Sequence, residues 1–217
     1  MPVLPEYTTP QRGIWKIEES RDELLALLTR KDDYMPFLSR CKSDSRQTEW
    51  LAVRTLLKTM LGHETSIAYH PDGIPYLPDE ELHISISHTK GYAAVLLGTQ
   101  PRIGIDIEHR SERIRKLYER FLGESEQRLI GRQPDTETLL ICWSAKETAF
   151  KMMRKRAVDW RNDLQIISFD AQHRQLSIRE TLTPYATLCS IRYIATPEFI
   201  MTQSAPQESL GVVRNGI

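Results

Sequence analysis

The sequence predicts an α+β fold, and three observations predict it. Each half of the 217-residue chain supplies one principal amphipathic helix and several strand patterns. Apolar and polar residues alternate, the period of a half-buried strand, at 82–87 and again at 103–108. Proline and glycine gather between elements, with Pro71, Gly73, Pro75 and Pro78 marking a turn-rich connection over 70–79. The two halves share no self-similarity of residue identity, so a duplicated architecture is compatible with the pattern without being required by it.

Taken in order, the elements are justified as follows. Ser20-Arg21-Asp22-Glu23 has the Ser-x-x-Glu form of a capping box, and Leu24, Leu25, Leu27 and Leu28 continue it as an apolar stripe. A longer helix starts near 44–46 and carries Trp50, Val53, Leu56, Leu57, Met60 and Leu61 at helical spacing, with Gly62 placed to end it. In the first strand, Leu82, Ile84 and Ile86 alternate with His83, Ser85 and Ser87. Residues 92–97 read as a more fully buried strand after a turn at Lys90-Gly91, and 103–108 as a third. Helical segments are expected over 112–121 and 138–155, and strands over 164–169, 175–179 and 185–194. The polar stretch after Pro197 has weak periodicity and is expected to be poorly ordered.

Composition narrows the function classes. Apolar residues make up 40% and charged residues 27%, an ordinary balance for a soluble enzyme. Lys plus Arg and Asp plus Glu both number 29, so no global charge draws the chain to nucleic acid or anionic lipid. Cys41, Cys142 and Cys189 form no Cys-x-x-Cys pair, and His63 and His70 are too loosely spaced for a zinc motif. Without a signal-peptide pattern or a bilayer-spanning apolar run, the expectation is a soluble, cytoplasmic protein.

The chemistry gathers in two segments. Asp106 and Glu108 are two apart on a predicted strand, so both leave the same face, with α-carbons about 6.5 Å apart. Two carboxylates at that spacing can converge on one hard cation, although a solvent-facing strand edge has the same pattern. Trp143, Glu147 and Lys151 fall at i, i+4 and i+8 and share a helix face, which a surface salt bridge over a packed core would also produce.

Together the two segments resemble a known family. Gly104-Ile105-Asp106-Ile107-Glu108, followed by Trp143-Ser144-Ala145-Lys146-Glu147 and Lys151, is similar to the paired signature of the 4'-phosphopantetheinyl transferases. Ser85-Ile86-Ser87-His88 resembles a segment of that family that contacts coenzyme A, and Arg46 the arginine that receives its 3'-phosphate. The resemblance runs from about Arg46 to Lys151, and the chain length is that of the two-lobed Sfp type. It implies two similar α/β lobes forming an intramolecular pseudo-dimer, residues 1–101 and 102–217, with coenzyme A in the cleft between them.

The resemblance also implies a reaction and roles. The phosphopantetheine arm of coenzyme A would pass to a serine of an apo acyl or peptidyl carrier protein, leaving 3',5'-ADP. Mg2+ would be held by Asp106, Glu108 and Glu147, with Glu147 ligand, general base or both and Lys151 on a phosphate oxygen. Arg46, Ser87 and His88 would bind the coenzyme. Gly73-Ile74-Pro75 departs from the family, which often carries a lysine at the position of Ile74. The alternative is a non-catalytic homologue that binds coenzyme A or a carrier protein. Arg110, Arg113, Arg115, Lys116 and Arg120 form either a solvated helix face or a docking surface for acidic carrier proteins. Arg154-Lys155-Arg156 is expected to complement a helix C-terminus. A monomer is expected, with no nucleic-acid or membrane partner.

Overall fold

A computed structural model describes residues 3–131, 133–153, 157–183 and 186–205. The chain is α+β. Its first half runs β1 (Arg12–Lys16), α1 (Arg21–Ala26), α2 (Lys31–Arg40), α3 (Asp44–Leu61), β2 (Ala68–Tyr69), β3 (Pro75–Tyr76), β4 (His83–Thr89) and β5 (Tyr92–Gly98). The second runs β6 (Ile105–His109), α4 (Glu124–Ile130), α5 (Thr136–Met153), β7 (Leu164–Asp170), β8 (Gln175–Glu180), β9 (Leu188–Ala195) and β10 (Phe199–Ser204). Three strands pair antiparallel as β1-β5-β4, and five as β6-β10-β9-β8-β7.

The helix signals act as read. Ser20 Oγ accepts from the Glu23 N–H while the Glu23 carboxylate accepts from the Ser20 N–H, which closes the capping box of α1. Ser43 caps α3, and Gly62, at φ 80°, closes it in the left-handed region that glycine enters without strain.

Strand alternation distributes the core. Ala93, Val95 and Leu97 of β5 join Leu51, Leu56 and Leu57 of α3 in one apolar cluster. Tyr92, Ala94 and Leu96 turn the other way and meet Ile105, Ile107, Phe199 and Met201 in a second cluster that joins the two sheets. With both faces covered, β5 has no polar face, hence its unbroken apolar run. A third cluster lies between α5 and the five-stranded sheet.

Several expectations are corrected. The 70–79 connection is preceded and partly occupied by the small β2–β3 hairpin. The 112–121 stretch is two short 3-10 turns, Glu112–Lys116 and Tyr118–Arg120, because Ile114 alone of them is buried and no apolar stripe exists to hold an α-helix. The expectation for the stretch after Pro197 is overturned over Phe199–Ser204, which form β10, inserted between β6 and β9 with most of its residues buried; residues 206–217 lie outside the described residues. A strand covered on both faces shows no alternation, so periodicity missed it. β1, α2 and α4 were also without a clear signal. Of the 185–194 strand, β9 begins at Leu188, and Tyr185 lies outside the described residues, as does the Arg154-Lys155-Arg156 cluster. No helix among the described residues is long and apolar enough to cross a membrane.

Candidate active site

The site begins with a seam between β4 and β6. These strands do not pair through their backbones. Instead the polar face of β4 supplies the bonds: Ile105 N–H donates to Ser85 Oγ (3.1 Å), Ser87 Oγ donates to Asp106 Oδ1 (2.9 Å), and His109 N–H donates to Thr89 Oγ1 (3.1 Å). Ser85 and Ser87 are therefore buried, and so is Asp106, at 5% exposure. Burial overturns the solvent-edge reading of the acidic strand. Ile105 and Ile107 face the cluster that joins the sheets, which turns Asp106 and Glu108 the opposite way, toward α5.

Gly104 permits the approach of α5. A Cβ at this position would collide with the carbonyl oxygen of Thr148, so any larger residue would push the helix off β6. The close crossing brings Lys151 to the strand. Its Nζ donates to Asp106 Oδ1 (2.8 Å) and to the Ile105 carbonyl (2.9 Å). Asp106 Oδ1 thus has two donors, whereas Oδ2 is buried with no partner among the described residues. Glu108 Oε1 accepts from the indole N–H of Trp143 (2.8 Å).

Glu108 and Glu147 share an electrostatic problem. Burial, then the charge of Asp106, pushes the carboxyl of each up to about 7, against the lowering effect of Trp143 and Lys151 at Glu108 and of Lys151 at Glu147. Among the described residues no three acids, histidines or cysteines are drawn together as a closed ligand set. The donor chemistry nevertheless fits a hard divalent cation: oxygen ligands only, one orphaned carboxylate oxygen, and two carboxyls that a nearby positive charge would deprotonate.

Lys151 also lines a cavity of about 970 Å³ whose opposite wall is built by α3 and the β2–β3 loop. Arg46, His88 and Ile74 line it, as do Trp50 and Arg54, which the sequence reading had not assigned to binding. Arg54 is 7% exposed, its guanidinium 3.1 Å over the Trp50 ring, with Nη1 donating to the Trp50 carbonyl (3.0 Å). Burial lowers its pKa to about 10, partly offset by Tyr69. On Trp50, Phe37 of α2 stacks at 4.3 Å. The helical spacing of Arg46 and Arg54, two turns apart, was the signal that could have found the second arginine. Ser87 is not among the cavity residues; its hydroxyl is committed to Asp106.

A second cavity, about 450 Å³, opens beside Glu108 and is lined by Arg113, Arg120, Trp143 and Trp160. Of the basic residues expected to form a docking surface, Arg110 is paired with Glu137, and Arg115 with Glu112 (2.7 Å). Arg113 and Arg120 face the cavity instead.

The other lysine of the motif, Lys146, is not at the site. It is fully buried, with Nζ donating to Glu126 Oε1 (2.7 Å) and to the carbonyls of Phe121 (2.5 Å) and Trp160 (2.6 Å).

Among curated proteins, none matches the chain. Residues 102–202, the stretch that contains β6, α5 and both acidic segments, match the model of the 4'-phosphopantetheinyl transferase superfamily, so the chain carries a domain of that superfamily.

Proposed function

We propose that the protein transfers the 4'-phosphopantetheine arm of coenzyme A to a serine of an apo acyl or peptidyl carrier protein, releasing 3',5'-ADP. One observation carries the reading: Lys151 belongs both to the carboxylate group of β6 and to the wall of the large cavity. Phosphate chemistry placed at that junction meets cations on one side and hard oxygen ligands on the other.

Asp106, Glu108 and Glu147 would hold Mg2+, which when bound offsets the negative charge of the pyrophosphate. The chain's own residues do the rest. Arg46 and His88 hold the nucleotide end in the cavity, with Arg54 adding a buried cation on a wall where Ile74 supplies none. Lys151 follows the phosphate charge that grows on the leaving group. The carrier serine attacks the phosphorus that bears the pantetheine arm, the bond to the bridging oxygen breaks, and 3',5'-ADP departs. Glu147, kept ionised by the positive charge beside it, accepts the serine proton as general base. The carrier approaches from the side of Arg113 and Arg120.

In this reading residues 1–101 and 102–217 are two similar α/β lobes of an intramolecular pseudo-dimer, the two sheets joined by the cluster around Ile107 and Phe199. The protein works as a monomer in the cytoplasm.

Intact-mass analysis of apo carrier proteins incubated with coenzyme A, Mg2+ and the protein tests the reading. A phosphopantetheine mass gain is expected, slowed about 10²–10⁴-fold by Glu147→Ala and abolished by chelation. Coenzyme A binding without mass gain on any carrier would instead identify a non-catalytic homologue.

A further inference from the structure

Arg46, Arg54 and Lys151 line the large cavity together with one acid, Asp72, and α3 carries a second, Glu49, against the lining residue His88. A carboxylate close to a phosphate site repels the ligand unless its charge is taken up by a neighbour. Here the neighbour is His88. Glu49 Oε2 lies 3.0 Å from His88 Nδ1, and Ser45 Oγ donates to Glu49 Oε1 (3.2 Å). Both carboxylate oxygens are engaged, and the Glu49 side chain is only 18% exposed. The acid is thereby held in place, while His88, 48% exposed, keeps the rest of its ring on the cavity wall.

The arrangement decides which nitrogen the histidine offers. With Nδ1–H donated to Glu49, Nε2 is the remaining hydrogen-bonding atom of the ring. Only the doubly protonated imidazole donates at both nitrogens, one to the carboxylate and one to a phosphate oxygen. We infer that Glu49 is the positioning residue for His88, holding the ring by Nδ1 so that Nε2–H meets the 3'-phosphate of the nucleotide. This rests on the reading of the cavity as a coenzyme A site, and it assigns the preference for a 3'-phosphorylated nucleotide to the Glu49–His88 couple.

Calorimetric binding of 3',5'-ADP and of 5'-AMP to the full chain tests it. The wild type binds 3',5'-ADP more tightly. His88→Ala and Glu49→Ala each reduce that preference about tenfold, the worth of one charge-assisted hydrogen bond, weakening 3',5'-ADP more than 5'-AMP. The double variant loses no more than His88→Ala alone, because the two residues act as one unit. Glu49→Gln, which keeps an acceptor for Nδ1–H, recovers part of the preference. Should Glu49→Ala fail to fold, Ser45→Ala, which releases the other carboxylate oxygen, carries the same readout at smaller size. Equal weakening of both nucleotides by Glu49→Ala, or no weakening, overturns the inference and marks Glu49 as a structural residue of α3. A wild type that does not distinguish the two nucleotides defeats the coenzyme A reading itself, and the inference with it.

Discussion

Two lysines of α5, five residues apart, each meet an acid, and the two surroundings differ in kind. Around Lys146 everything is closed. Three acceptors surround Nζ, and the partner Glu126 accepts in turn from the backbone N–H groups of Ile166 (2.9 Å) and Gly123 (2.7 Å). Around Lys151 the account is left open. Asp106 Oδ2 has no donor among the described residues, and burial and the charge of Asp106 hold two further carboxyls near 7 despite Lys151. A buried ion pair whose every atom is satisfied ties elements together, here α5 to α4, β7 and the Trp160 loop. An open one retains electrostatic work for a ligand to complete.

The sharpest break of this comparison is in stability. Lys146→Ala leaves Glu126 charged and unpaired in the core and is expected to cost about 3–5 kcal/mol, measured by urea unfolding. The double change Lys146→Met with Glu126→Gln, which removes both charges and keeps an acceptor for the Ile166 and Gly123 N–H groups, is expected to recover part of that loss. Lys151→Met should do the reverse: melting within a few degrees of wild type, and phosphopantetheine transfer slowed about 10²–10³-fold. If Lys151→Met unfolds the chain as Lys146→Ala does, the distinction between closed and open pairs fails.

Ser87→Ala sharpens the comparison at a smaller scale. Its hydroxyl holds Asp106 Oδ1 and thereby orients Oδ2, so its removal is expected to weaken divalent-metal binding about 10–100-fold. Titration with Mn2+ followed by electron paramagnetic resonance reads this without reference to turnover.

The pH dependence should separate the open site from a closed acid elsewhere. Glu108 and Glu147 rise from 4.5 to about 7, so between those values the folded metal-free chain holds more protons than the unfolded one. Its stability therefore falls as pH rises through that window, and Mg2+ is expected to flatten the slope. Glu64 behaves oppositely. Burial would raise it, but the N–H groups of Thr29 and Arg30, then Lys58 and the Thr29 hydroxyl, bring it down to about 2. The stability it contributes is full above about 4.5 and lost as pH falls toward 2. Thermal melts across pH with and without Mg2+ should show both limbs; a metal-free profile flat from 4.5 to 7 would count against the open site.

Local signals carried much of the helix plan. The Ser20 capping box, the stripe of α3 closed by Gly62, and the shared face of Glu147 and Lys151 all depend on neighbours within one or two turns, where sequence acts directly. The acidic motif on β6 was legible for the same reason: residues two apart on a strand share a face whatever lies opposite. What lay opposite was not legible. Burial of Asp106 required β4 to turn its serines toward β6 and Gly104 to admit the Thr148 backbone, both contacts between segments distant in the chain. β10 and the Phe37–Trp50–Arg54 stack were missed on similar grounds, since a strand covered on both faces has no alternation and α2 has no clear stripe. The sequence by itself determined the start of α1, the stop of α3 and which side chains share a face. Only the tertiary structure decided which faces are buried and which of the two motif lysines is open to a ligand, because desolvation and charge pairing depend on what packs across the gap.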